Sequence, residues 1–444
     1  MAQLAMFFYT AFYIGRLHEI FAVLASARIV FVLAVLSIVF TLARPRRKRN
    51  PVFAQREVQI VLALGVLAVL FTPFSVWSGG SWTFLADSFS RLLVFFLLVV
   101  ALARSCRAIE AMLWSVLAGL SALGLCTIWG RSIDTIYGER AYASVTYDPN
   151  DIAMMMVCAL PLAAFAAAAL RGVRRLLAIG AVLICVLAII LTMSRGGFIG
   201  LVIVSVLLLF RLGAVSLAPR LLILGIVAAL LMAAAPARYW DLMSTIWAPA
   251  LGGEYLEAGV FTRVELWKGG VRLFLASPIT GVGIGMYDVA EGLSHGGRGK
   301  WSAAHNSFLQ VATELGIFGI VLFASLIVLS VRNAQRTLRL ARSDERVRDL
   351  AWISAAVETS LYSYVVEGFA LSQAYSPMLY FLIGAATALR LEVERRLWSP
   401  RAVAPPAPAR RATPVPAAIP AARRPSRRSH VDGATPRPSL VHES

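Results

Sequence analysis

His305 and Asn306 stand where a long amphiphilic stretch meets an apolar run, and Glu314 follows nine residues later inside that run. An imidazole titrates in the physiological range and can take a proton from a hydroxyl. A histidine exposed at an interface can equally be inert, and the residue alone leaves both readings open. A carboxylate within an apolar span is expensive and marks a functional candidate. Arg195, in Thr192-Met193-Ser194-Arg195-Gly196-Gly197, and Arg263 lie outside the basic clusters that account for most arginines. An arginine at a helix end can simply snorkel to the interface. Two guanidiniums on one side of a membrane also suit a pyrophosphate, because each grips phosphate oxygens as a planar fork. Asp148-Pro149-Asn150-Asp151 reads first as a helix start, with Asn150 or Asp151 as the cap.

The scaffold that must position these groups is legible in the composition. Of 444 residues, 59% are hydrophobic and 15% charged, with mean hydropathy +0.74. Soluble domains sit at about 45–50% apolar and about 25% charged. A water-soluble globular enzyme is therefore excluded, and so is a chain disordered over most of its length. The apolar runs are continuous, as in Leu176–Met193, whereas barrel strands alternate with period two. The fold class is an all-α polytopic membrane protein. About 12 transmembrane helices are expected, at about 20 residues each. They fall near 2–15, 27–43, 57–76, 89–104, 110–128, 151–170, 176–193, 197–211, 220–236, 306–331, 350–367 and 374–390. No basic segment precedes 2–15 and no clean small-x-small site follows it, so it reads as a span rather than a cleaved signal peptide.

Orientation follows from lysine and arginine near the helix ends. With the N-terminus inside, the windows on the cytoplasmic side hold 30 of the 42 basic and 6 of the 24 acidic residues. Both termini are expected in the cytoplasm and the chain in the bacterial inner membrane. The formal net charge of +18 is then a topology signal plus a basic tail, and no nucleic-acid partner is needed to explain it. Residues 1–399 read as the membrane domain. Residues 400–444, rich in proline, alanine and arginine, read as a disordered cytoplasmic tail that can lie on anionic membrane lipid. Cys106, Cys126, Cys158 and Cys185 have no metal-like spacing and read as small apolar core residues. No cofactor is implied.

One connection differs from the rest. Residues 237–304 form a long extracytoplasmic loop carrying Trp240, Trp247, Trp267 and Trp301. Within it, 260–276 reads as an amphipathic helix with Val264, Trp267, Val271, Phe274 and Leu275 on one face. Gly281-Val282-Gly283-Ile284-Gly285 reads as a tight turn, with a minor phosphate-binding role left open, since glycine lets backbone N–H groups approach an anion.

Taken together the motifs resemble those of a known family. Arg263-x-x-x-Trp267, Ser277-Pro278-x-x-Gly281-x-Gly283-x-Gly285, His305-Asn306-x-x-Leu309 and Glu314-x-Gly316-x-x-Gly319 look like the signature of the O-antigen ligase and polymerase superfamily. Ser194-Arg195-Gly196-Gly197 resembles its upstream arginine motif. Tyr147-Asp148-Pro149-Asn150-Asp151 resembles a segment common in its exopolysaccharide and exosortase-associated members. The resemblance covers most of 140–330; the tail departs from the pattern and the first span is short. It implies a fold similar to the C-type glycosyltransferases, with the site at the outer face. It also implies metal-independent, inverting transfer of a glycan from a polyprenyl-pyrophosphate donor to a hydroxyl on a glycan or lipid acceptor. Arg195 and Arg263 would hold the pyrophosphate, His305 would be the general base, and Asn306 and Glu314 would contribute to substrate binding. Ligase and polymerase share this donor chemistry. A flippase for the same lipid-linked glycan would instead distribute charges along a central path; the main mid-span candidates are Glu314, Glu358 and Glu367, with the last two readable as lying near the outer surface.

Overall fold

The structure, a computed structural model, describes residues 1–43, 52–129, 140–211, 262–297 and 301–398, apart from 22, 25, 26 and 142, together with scattered positions between 221 and 244. All regular structure among the described residues is helical. In chain order the main helices are α1 (Ala2–Gly15), α2 (Ile29–Leu42), α3 (Arg56–Phe71), α4 (Ser78–Leu102), α5 (Cys106–Trp129), α6 (Pro149–Ala169) and α7 (Gly172–Leu191). They continue with α8 (Arg195–Arg211), α9 (Ala237–Ser244), α10 (Thr262–Ala276), α11 (Tyr287–Ser294), α12 (Ser307–Ser343), α13 (Ala351–Gly368) and α14 (Pro377–Trp398).

Among the described residues, six helical segments are long and apolar enough to cross a membrane: Arg56–Phe74, Ser78–Leu102, Cys106–Trp129, Pro149–Ala169, Gly172–Leu191 and Ser307–Ser343. They make the chain a multi-span helical membrane protein. α1 and α2 are apolar but shorter. The expected span at 220–236 falls mostly outside the described residues, as do the basic segment 44–49, Trp247 and the 400–444 tail.

α6 is the centre of the bundle. It is buried without interruption from Ile152 to Ala166, which is where a helix apolar all round belongs. α5, α7, α8 and α13 pack around it. α1 and α5 approach so closely that neither Gly15 nor Gly119 has room for a Cβ. Small residues allow such backbone contact between membrane helices.

Two elements depart from expectation. α4 begins at Ser78 rather than near 89, and a turn of π-helix at Leu85–Phe89 interrupts it. Its glycine- and serine-rich start carries no helical signal of its own and is held by packing against residues 282–286. α12 extends to Ser343 instead of ending near 331. Its arginine-rich second half stays helical because Asn333, Ala334, Thr337, Leu338 and Ala341 form a buried inner face.

α12 also breaks, at Gly316 (φ 65°, ψ −163°). In an unbroken helix the carbonyls of Thr313 and Glu314 would accept from residues 317 and 318. Here they accept from Val282 N at 2.9 Å and Gly283 N at 3.0 Å, while Ile317 N donates to Pro278 O at 2.8 Å. The glycine loop thus satisfies the backbone groups that the kink releases.

Candidate active site

The site is built on four turns. The first is the start of α6. Asp148 caps it, its Oδ1 accepting from Asn150 N at 2.7 Å and Asp151 N at 2.8 Å. Asp151 completes a capping box by accepting from Asp148 N at 3.3 Å. The cap is therefore Asp148 rather than Asn150 or Asp151. Pro149 takes the first helical position, where its missing N–H is no loss. This leaves the Asn150 and Asp151 side chains free to face neighbouring turns.

Asn150 faces the second turn. Its Oδ1 accepts from Arg140 Nη2 at 2.7 Å and from Ser194 Oγ at 3.0 Å. Arg140 Nε donates to Thr192 O at 2.9 Å, and Ser194 Oγ accepts from Gly197 N at 3.1 Å. Arg195 is thereby fixed as the first residue of α8. Met193, just before it, is left-handed at φ 50°.

The third turn carries His305, also left-handed at φ 46°. A non-glycine residue held there costs about 1–2 kcal/mol, and such strain concentrates at functional sites. Asn306 caps α12, its Oδ1 accepting from Phe308 N at 2.9 Å and Leu309 N at 3.0 Å. Trp267 Nε1 donates to His305 O at 3.3 Å, which joins this turn to α10. α10 begins at Thr262, so its second residue is Arg263. Tyr287 OH to Leu266 O (2.9 Å) and Thr313 Oγ1 to Gly270 O (3.2 Å) hold the inner side of the helix. Of the face expected to be apolar, Trp267 and Phe274 are half-buried while Val264, Val271 and Leu275 are exposed; Leu266 and Gly270 form the buried side instead.

Arg263 is partly buried, and burial holds its guanidinium below the ordinary arginine value. The positive charge of Arg195 pushes the same way, and the carboxylates of Glu367 and Asp148 push back. Arg195, Arg263, Glu367 and Asp148 therefore share one electrostatic neighbourhood, although they come from four separate stretches of chain.

Glu367 belongs here rather than on a path of its own. It lies in the last turn of α13, is 1% exposed, and neither carboxylate oxygen has a hydrogen-bond partner among the described residues. It rests against Gly200, where a Cβ would collide with its carboxylate, and close to Gly196. The sequence carried a faint signal of this: Gly196 and Gly200, one turn apart after Arg195, leave a helix face bare.

The fourth turn is the glycine loop. The amides of Gly281, Val282 and Gly283 donate to Ser277 O, Thr313 O and Glu314 O, and that of Gly285 to the Glu314 carboxylate. Val282 O accepts from Val76 N (3.0 Å) and Ser75 Oγ (3.1 Å), and Ile284 O from Ser81 Oγ (3.1 Å). These amides point into the protein. The expected tight turn is what is present, and they form no phosphate cradle. Glu314 is buried beneath it, accepting from Tyr375 OH at 2.8 Å and Gln310 Nε2 at 3.4 Å. It sits with the loop, while Arg195, Arg263, Asn306 and His305 sit on the turns described above.

Residues 180–324 match a family model described as O-antigen ligase. That match supports the O-antigen ligase superfamily. It covers about a third of the chain and includes Arg195, Arg263, His305 and Glu314. The ligase-family segment excludes Asp148, Asp151, Glu367 and Gln373, which only the fold brings to it. Proteins of this family are membrane glycosyltransferases of O-antigen ligase and polymerase type. No curated protein matches the chain.

Proposed function

We propose that this protein transfers a glycan from a polyprenyl-pyrophosphate donor to an acceptor hydroxyl at the outer face of the bacterial inner membrane, with both termini in the cytoplasm. The observation that carries this reading is that Arg195 and Arg263, from separate helices, lie within electrostatic reach of each other. Both guanidiniums are partly desolvated and the charge of Arg195 is felt at Arg263, so positive charge concentrates there and favours an added anion. A pyrophosphate supplies that anion, and the arginine forks match its oxygens.

In the proposed step the acceptor oxygen attacks the anomeric carbon in line. A new C–O bond forms as the bond from that carbon to the phosphate oxygen breaks, and the anomeric centre inverts. Arg195 and Arg263 stabilise the charge that develops on the departing polyprenyl pyrophosphate. His305 takes the hydroxyl proton. Asn306 and Trp267 hold the His305 turn, through the α12 cap and the bond to His305 O. Glu314 acts by holding the glycine loop against α12.

Ligase-type transfer to a lipid or core acceptor leads. Polymerisation on the carrier is the second reading, favoured by the resemblance of Tyr147–Asp151 to exopolysaccharide-type members. Deleting the protein in its host and sizing lipid-linked and surface glycans separates the two. Long polymer retained on the carrier identifies a ligase, and single repeats identify a polymerase. Rescue by wild type but not by His305→Ala, at equal protein level, is the expected result. Full rescue by His305→Ala removes the general-base role and favours a transporter.

A further inference from the structure

At the end of α12 remote from His305, one helix face changes its chemistry abruptly. The exposed residues Ile317, Phe318, Val321, Ser325 and Val328 define its outward line, and Arg332, Arg336, Arg339 and Arg342 are the exposed residues that follow before the terminal Ser343. At 100° per residue these four arginines occupy an arc of about 120°, centred on the continuation of that line. The opposite face, with Ala334, Leu338 and Ala341, is buried. Arg332 is the first charged residue after Glu314 on the helix.

The surrounding arginines are neutralised within the protein. Arg346 pairs with Asp344, Arg348 with Glu345, Arg390 with Glu57 and Glu394, Arg395 with Glu392, and Arg396 with Asp349 and Glu392. Among the described residues no carboxylate pairs with Arg332, Arg336, Arg339 or Arg342. Arg336 lies instead over the ring of Trp398, 5.6 Å from its centroid, and Trp398 is itself 53% exposed.

We propose that this stripe is a binding surface for the headgroups of anionic phospholipids. The same outward face is apolar from Ile317 to Val328, about 17 Å of helix, and cationic immediately beyond it, which is the order of chemistry met on leaving a bilayer core. Tryptophan favours the headgroup level, and an exposed one at the stripe marks that depth. Arginine forks fit phosphodiester oxygens, and side chains of this length reach back toward the headgroups from the last turns of the helix. An acidic protein partner would match the charge, but nothing in its chemistry would require the apolar continuation through Val328 and Phe318. The surface is independent of the transfer chemistry, which lies at the other end of α12.

The test uses the full-length protein purified in detergent and exposed to equimolar phosphatidylglycerol and phosphatidylcholine, with retained lipid quantified by mass spectrometry after gel filtration. Wild type is expected to retain phosphatidylglycerol in about threefold or greater excess, falling at high salt. The Arg332→Gln, Arg336→Gln, Arg339→Gln, Arg342→Gln variant is expected to lose that excess. A variant with Arg410, Arg411, Arg423 and Arg424 changed to glutamine lowers net charge equally and, although the tail can also touch anionic lipid, is expected to keep most of it. Equal retention of both lipids by wild type, or equal loss in both variants, overturns the proposal. If the fourfold stripe variant aggregates, the four single Arg→Gln changes are compared, and absence of any loss among them overturns it as well.

Discussion

Gln373 joins the start of α6 to the start of α12: its Nε2 donates to Asp151 Oδ1 at 2.7 Å and its backbone N donates to Ser307 Oγ at 2.9 Å. Ser307 Oγ in turn donates to Leu371 O at 2.7 Å, and Tyr364 OH donates to Gln373 O at 2.8 Å. Asn150, beside Asp151, holds the Arg195 turn through Ser194. One short stretch of α6 therefore sets the position of the arginine turn relative to the histidine turn. Gln373→Ala is expected to lower glycan transfer about tenfold, the equivalent of about 1.4 kcal/mol. Asp151→Asn keeps an acceptor oxygen and is expected to retain most activity, whereas Asp151→Ala behaves like Gln373→Ala. Rates with reconstituted protein check this, and equal rates for all three variants contradict the bridge.

Arg263→Lys replaces a planar fork with a point charge. Lysine keeps the charge but cannot grip two phosphate oxygens at fixed geometry. Transfer is expected to fall about a hundredfold, the scale on which single transition-state donors act, with little change in thermal stability. Single-turnover rates on a lipid-linked donor measure the first quantity, and thermal unfolding in detergent the second.

Glu367 combines burial with two unpartnered carboxylate oxygens beside Arg263. An unsatisfied buried polar group costs about 1–3 kcal/mol, more when charged. Glu367→Met removes both unpartnered oxygens and is expected to raise the unfolding midpoint while lowering transfer, the pattern of a group kept for activity at the expense of stability. A variant that is both more stable and fully active shows that Glu367 has no part in the site.

Glu19, on the short helix Leu17–Ile20, tethers the strand of chain that leads into Asp148. It accepts from Ser144 Oγ at 2.5 Å, Thr146 N at 2.9 Å and Thr146 Oγ1 at 2.7 Å. Burial pushes its carboxyl up, but these hydrogen bonds and Arg16 outweigh burial and hold it below the ordinary value. A depressed carboxyl contributes stability that is present above its unfolded pKa and lost as pH falls through the folded one. Glu19→Gln is therefore expected to unfold at lower temperature than wild type at pH 7, by the equivalent of about 1–2 kcal/mol. The gap is expected to close as pH falls below about 4, where the unfolded glutamate is already mostly protonated and the folded one begins to follow. Unfolding midpoints across that range decide it.

Much of this protein was legible in its residues. Continuous apolar runs specify membrane helices because an unpaired backbone in hydrocarbon is prohibitively costly, and α1, α2, α5, α6 and α7 begin and end close to where the runs do. The motifs and the family they resemble singled out Arg195, Arg263 and His305 as candidates, because short motifs are local chemistry that acts over a few residues. What lay beyond the sequence depends on contacts between distant segments. The early start of α4 depends on residues more than two hundred positions away. The break at Gly316 is stable only because the 278–283 loop accepts and donates the bonds it frees. Asp148 displaced Asn150 and Asp151 as the cap, and that released both side chains to brace other turns. Glu367 read as a charge in a span, readable near its outer end, until packing set it against the bare glycine face of α8, within electrostatic reach of Arg263. Hydrophobic periodicity records which residues leave water, whereas the partner each buried polar group finds is decided only when the helices pack.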